Sequence, residues 1–131
     1  MAKAEKQRKT TKSTRLPKDI ERAIQAAEDK KAFDVTVLDL RKAGGFTDYF
    51  VICSGANTRQ VRAIADAVID TLRDLGIKPA HVEGHDRSEW VLLDYFDFIV
   101  HVFGRETRMF YGLERLWGNA EPVEREPPPA R

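Results

Sequence analysis

Three groups of residues have types and spacings that could support chemistry. Ser54-Gly55-Ala56-Asn57 lies where an apolar strand gives way to a helix, and the free N–H groups of a helix N-terminus can cradle an anion. No G-x-G-x-x-G and no G-x-x-x-x-G-K-[ST] accompanies it, so a tight turn with a helix cap is the better reading. A polymerase-type nucleotidyl transferase would use such a turn and hold its metal with paired carboxylates on the next strand. No Asp-x-Asp follows here, and Asp94 and Asp97 stand three apart across a turn rather than on one strand face. A nucleotidyl transferase or nucleotide-binding protein using the Ser54-Gly55 junction is the alternative function, and it lacks its metal ligands. His81 and His85 are four apart, but convergence on zinc at that spacing needs a helix, and Gly84 interrupts. His85 with Asp86 and Glu89 reads equally as a proton relay or as a solvated loop. His101, alone in an apolar strand, reads as a hydrogen-bonded core or edge histidine. No nucleophile has a partnered base, so no catalytic residue, metal or cofactor is expected.

Trp90 differs in kind. It begins a strand directly after a polar loop, and its same-face neighbours are Leu92 and Asp94. A face carrying Trp, Leu and an acid, flanked by Tyr95 and Asp97, has the composition of a binding surface. A tryptophan closing the core at the end of the sheet is the equally good alternative.

The elements that must position these residues can be read from periodicity. Trp90 to Tyr95 and Phe98 to Phe103 form two apolar strands, with Asp97 as the only strong turn former between them. The rest of the chain is predicted to cover this hairpin. Pro17 opens a helix carrying Ile20, Ala23, Ile24 and Ala27 at helical spacing, to about Lys31. Phe33 to Leu40 alternates as a strand, Ala43 to Phe46 turns, and Asp48 to Ser54 reads as a central strand, almost wholly apolar. Asn57 or Thr58 caps a helix whose stripe is Val61, Ile64, Ala65, Val68, Leu72 and Leu75, ended by Gly76. Lys78 to Glu83 is a short strand and Gly84 to Glu89 a loop. Met109, Phe110, Leu113, Leu116 and Trp117 predict a last helix, capped by Gly118. The order α-β-β-α-β-β-β-α lacks strict β/α alternation and implies an α/β protein with a mixed five-stranded sheet.

The 131 residues suffice for one domain. No apolar run approaches 18 residues, so no membrane span is expected. The basic N-terminus has no apolar h-region, which argues against secretion, and a transit peptide ranks behind a plain basic tail because Lys outnumbers Arg and no amphipathic face appears. Cys53 is the only cysteine, which fits a reducing compartment. Residues 1–18 hold seven basic and one acidic residue, whereas the remainder holds 15 basic and 20 acidic. An acidic body with a basic tail suggests two kinds of partner surface, although a merely solubilising tail explains the composition as well. The domain plan is a disordered basic tail over 1–15, one domain over 16–118 and a Pro-rich disordered tail over 119–131.

Several segments together resemble the Iojap-type ribosomal silencing factors. They are Thr47 to Gly55 (TDYFVICSG), Arg59-Gln60-Val61 with Ile64-Ala65-Asp66, Val82-Glu83-Gly84, Trp90 to Asp94 (WVLLD), Val100-His101-Val102-Phe103, and Glu106, Arg108, Tyr111, Leu113, Glu114, Leu116 and Trp117 near the end. They span about Ile20 to Trp117 and are specific jointly rather than singly. One departure is Phe96, which stands where the family usually has glycine in the hairpin turn. The resemblance implies a three-layer α/β/α fold similar to nucleotidyl transferases but without catalytic carboxylates. It implies a cytoplasmic, non-enzymatic repressor of translation under nutrient limitation. Such a protein binds the large ribosomal subunit through its ribosomal protein fourteen and blocks joining of the small subunit. The family's contact surface maps to Trp90, Asp94, Tyr95, Asp97, Glu106 and Arg108. Contact of the basic tail with ribosomal RNA, and a homodimer that hides the apolar hairpin face in the free protein, are further expectations.

Overall fold

The computed structural model describes residues 16–42, 47–111 and 121–123. Its elements run α1 (Lys18–Asp29), β1 (Phe33–Asp39), β2 (Tyr49–Gly55), α2 (Thr58–Asp74), β3 (His81–Glu83), β4 (Trp90–Asp94), β5 (Phe98–Gly104), α3 (Arg105–Tyr111) and β6 (Glu121–Pro122). Pro17 precedes α1 at φ −53°, and its carbonyl accepts from Ile20 and Glu21, while Asp19 and Glu21 sit favourably at the positive end of the helix dipole. Ile20, Ala23, Ile24 and Ala27 are buried along one stripe, as their spacing requires. At α2 the Asn57 side chain accepts from the Gln60 N–H at 2.9 Å, and Gln60 reaches back to the Ala56 N–H at 2.6 Å. The Gln60 amide also donates to the carbonyls of Lys30 and Lys31, tying the end of α1 to the start of α2.

The sheet order is β3-β4-β5-β2-β1-β6, with β2 and β5 parallel and every other pair antiparallel. Alternation along the strands divides the apolar side chains between two faces. Val37, Val51, Cys53, Val91, Leu93, Val100 and Val102 meet Ile20, Ile24, Val61, Ile64, Val68 and Leu72 of α1 and α2. Leu38, Leu40, Phe50, Ile52, Ile99 and Phe103 form the second cluster, with Trp90 and Leu92 at its rim. β2 is buried at every position, which explains its unbroken apolar sequence. Cys53 lies on the helix-covered side, and burial pushes its thiol up to about 12, so it packs as a small apolar residue.

The expected α/β class, mixed sheet and element order hold, with two differences. The strand expected over 78–83 shrinks to His81–Glu83, because Pro79 has no N–H to donate, and only the Ala80 N–H extends the pairing, to Asp94 O. A sixth strand lies in the segment read as a structureless tail. Glu121 and Pro122 pair with Asp39 and Leu38, and the Val123 N–H reaches Val37 O at 2.8 Å. Val123 packs on the helix-side cluster, and this apolar contact holds an otherwise polar stretch on the sheet edge. The expected tail at 1–15, turn at 43–46 and helix beyond Tyr111 with its Gly118 cap fall outside the described residues.

Candidate functional site

β4 builds the centre of the candidate site by simple alternation. Val91 and Leu93 point to the helices and are buried, whereas Trp90, Leu92 and Asp94 share the other face and are half-exposed. The Trp90 ring lies over Phe103, with centroids 4.8 Å apart and planes 26° apart, and its Nε1–H donates to His101 Nδ1 at 3.1 Å. Trp90 is therefore rooted at the rim of the second cluster and half-buried, which agrees with a tryptophan that closes the core at the end of the sheet.

His101 is the root of that arrangement. It is 3% exposed and meets Phe50 edge-on at 4.6 Å. Accepting at Nδ1 places the ring proton on Nε2, which has no hydrogen-bond partner among the described residues. Burial lowers its pKa from 6.5 to about 4, so the ring is neutral at pH 7. Below pH 6.5 the unfolded chain binds a proton that the folded chain refuses, so stability is complete above that pH and is lost as pH falls toward 4. Between pH 7 and pH 5 the loss amounts to about 2 kcal/mol. Melting temperatures across that window should fall in the wild type and fall clearly less in His101→Gln. Equal slopes would show that another group carries the effect.

The β4–β5 turn carries the acidic end. Asp94 Oδ1 accepts from the Phe96 N–H at 2.8 Å, the Asp97 N–H donates to Tyr95 O, and Thr47 Oγ1 donates to Phe96 O at 2.7 Å. Phe96 adopts φ +74°, the conformation glycine would take without strain, and its side chain is 76% exposed. Asp97 is exposed beside it.

Two of the six expected contact residues face elsewhere. Tyr95 directly follows Asp94 and so turns to the opposite face, where it is 7% exposed and stacks on Phe98 at 5.0 Å. Burial there pushes its phenol up to about 12. Arg108 is half-buried and turned inward. Its guanidinium donates to Asp34 O, Ser54 Oγ and Thr36 Oγ1, clamping α3 onto the irregular start of β1. Trp90 and Asp94 do share a face, with Asp97 beyond the strand end. Glu106 is exposed in the first turn of α3, at the end of the sheet where β4 begins, because β5 runs antiparallel to β4, and it lines a cleft with Ala56, Thr58 and Glu89. The five residues of β4 separate the Glu106 and Asp97 ends by about 13 Å. Leu92 completes the face with a half-buried apolar surface, as alternation indicates.

The loop before Trp90 is held from α2. Arg62 donates to Ser88 Oγ at 3.1 Å and to Asp86 O at 2.6 Å, and His85 Nε2 lies 2.7 Å from Asp66 Oδ1. His85 thus partners a carboxylate one helical turn beyond Arg62 rather than Asp86 or Glu89, and the relay within the loop does not form. This cross-link was invisible in the sequence, where the partners lie 19 or more residues apart.

The Ser54-Gly55 junction is closed. Ser54 is buried and its Oγ accepts from Arg108, and a Cβ on Gly55 would sit 3.0 Å from both the Val61 side chain and its backbone nitrogen. The Ala56 and Gln60 N–H groups that could meet an anion are already taken by the cap. A cleft of about 370 Å³ opens beside it, lined among the described residues by Glu89 and Glu106 against the single cation Arg105, so its lining is net acidic and disfavours phosphate. Among the described residues, no three His, Cys, Asp or Glu side chains converge as metal ligands would. No helix among them is long and apolar enough to cross a membrane.

Comparison with known proteins converges on one family. The family profile described as "Ribosomal silencing factor during starvation" matches residues 13–131. Ribosomal silencing factor RsfS of Bacillus subtilis is 43% identical over 98 residues, 75% of this chain and 83% of that protein. RsfS of Halalkalibacterium halodurans is 40% identical over 104 residues, 79% of this chain and 89% of that protein. A crystal structure of a Chromobacterium violaceum protein superposes with a TM-score of 0.76 at 33% identity, covering 88% of this chain and 92% of that one.

Proposed function

The chain belongs to the family of ribosomal silencing factors, and from that premise we propose that it binds the large ribosomal subunit through ribosomal protein fourteen and so keeps the small subunit from joining. The observation that carries this reading is the open face of β4, where a rooted, half-exposed Trp90 stands beside Leu92 and Asp94, with acids at both ends. An aromatic anchor with an acidic rim suits a basic ribosomal protein. Silencing is then steric and uses no catalysis: a domain of about 100 residues is roughly 33 Å across, enough to obstruct an intersubunit contact. The acting compartment is the cytoplasm, and the basic residues of 1–18 add contact with ribosomal RNA. In the free protein, the apolar Trp90–Leu92 part of the β4 face is covered by a second copy, which the subunit displaces, with the acidic turn outside that contact.

Sucrose-gradient sedimentation with purified subunits tests the proposal. The protein should migrate with free large subunits and be absent from joined ribosomes, and adding it before the small subunit should reduce joining. Co-migration with joined ribosomes, or with neither subunit, would refute the reading. No observation favours nucleotide binding, since the junction it needs is filled by Arg108 and packed under α2.

A further inference from the structure

We propose that Phe96 is a second anchor of the partner-binding face, a specificity-determining aromatic that enters an apolar pocket on a basic protein surface. The proposal rests on the partner-binding reading above and adds a residue to it. A lone exposed apolar side chain is ordinary. An exposed phenylalanine in left-handed backbone is a different matter, because that conformation strains a bulky side chain and the ring gains no burial in return. Phe96 combines φ +74° with 76% exposure, against 45% for Leu75 and 38% for Val82, the other exposed large apolar residues among those described.

The turn holds this arrangement rigidly. Both backbone polar groups of Phe96 are occupied by side chains, its N–H by Asp94 Oδ1 and its carbonyl by Thr47 Oγ1. The flanking bonds Tyr95 N–H to Phe98 O and Asp48 N–H to Asp97 O fix the chain on either side. A ring presented on so constrained a backbone loses little freedom on binding.

The rim identifies the kind of partner. Asp48, Asp94 and Asp97 surround the turn, and the neighbouring Arg41 is already paired with Asp39 at 2.7 Å. A second copy of this chain, meeting the same patch about a two-fold axis, would set these three aspartates against the same three. Lys or Arg around a shallow apolar pocket complements the patch.

The test uses the full chain, purified large ribosomal subunits, and the variants Phe96→Gly and Phe96→Asn, both of which accept positive φ. The wild type should bind. Both variants should bind about tenfold more weakly or worse while melting no lower than wild type. Wild-type binding with variant affinities within about twofold would overturn the anchor and leave the family function standing. Absence of wild-type binding would overturn the reading on which the anchor rests, and the anchor with it. A lowered melting temperature in both variants would make Phe96 a packing residue. Self-association of the free wild type that both variants abolish would assign the ring to a second copy instead.

Discussion

Trp90→Ala should remove the protein from the large-subunit fractions of a sucrose gradient. Truncating a tryptophan anchor near the centre of an interface costs about 2 kcal/mol or more of binding, roughly a thirtyfold or greater loss of affinity. The structure adds a stability cost, because the ring stacks on Phe103 and its Nε1–H fills His101 Nδ1. Losing the stack and leaving a buried acceptor unmet should lower stability by about 2–3 kcal/mol. Binding is therefore compared at a temperature where every variant is folded. Leu93→Ala provides the contrast: fully buried on the opposite face of β4, it should cost about 2–5 kcal/mol of stability and leave the affinity of the folded protein near wild type. A Trp90→Ala protein that melts lower yet binds normally would reduce Trp90 to packing and move the interface elsewhere.

Gly84→Ala should be among the most damaging single-methyl changes in the chain. Gly84 has φ +80°, and a Cβ built there would lie 2.0 Å from the carbonyl oxygen of Trp90, a backbone atom that cannot rotate away. Left-handed strain of about 1 kcal/mol and an overpacking cost of about 1–3 kcal/mol combine to roughly 2–4 kcal/mol. The shift acts on the first residue of β4, so subunit affinity should fall as well. Gly76→Ala is the matched control, with nearly the same φ of +82° and no atom within 4 Å of the new methyl. It carries only the backbone strain, about 1 kcal/mol. Equal melting temperatures for the two variants would show that the loop relaxes freely and that Gly84 does not position Trp90.

Much of this molecule was legible because its elements carry strong local signals. The stripe from Val61 to Leu75 and the unbroken apolar run of β2 form as read, except that Leu75 is the helix C-cap residue and is exposed, and the cap expected at Asn57 or Thr58 is Asn57. Trp90, Leu92 and Asp94 could be placed on one face because strand alternation is a local property. The same alternation should have removed Tyr95 from the contact set. The family resemblance implies a contact role for it, whereas the structure buries it on the helix-covered side.

What the sequence alone determined, then, is every element except β6, their order and the composition of the β4 face, all of which depend on neighbours a few residues apart. Tertiary structure decided the rest. Arg108 reads as a surface charge until residues more than 50 positions away supply three acceptors for it. His85 finds Asp66, and the Pro-rich stretch gains a sheet edge only once β1 exists to receive it. Trp90 could be a surface or a core residue until β5 placed His101 and Phe103 beneath it. Hydrogen-bond partners and burial are properties of space, and a contact between distant segments leaves no periodicity in either of them.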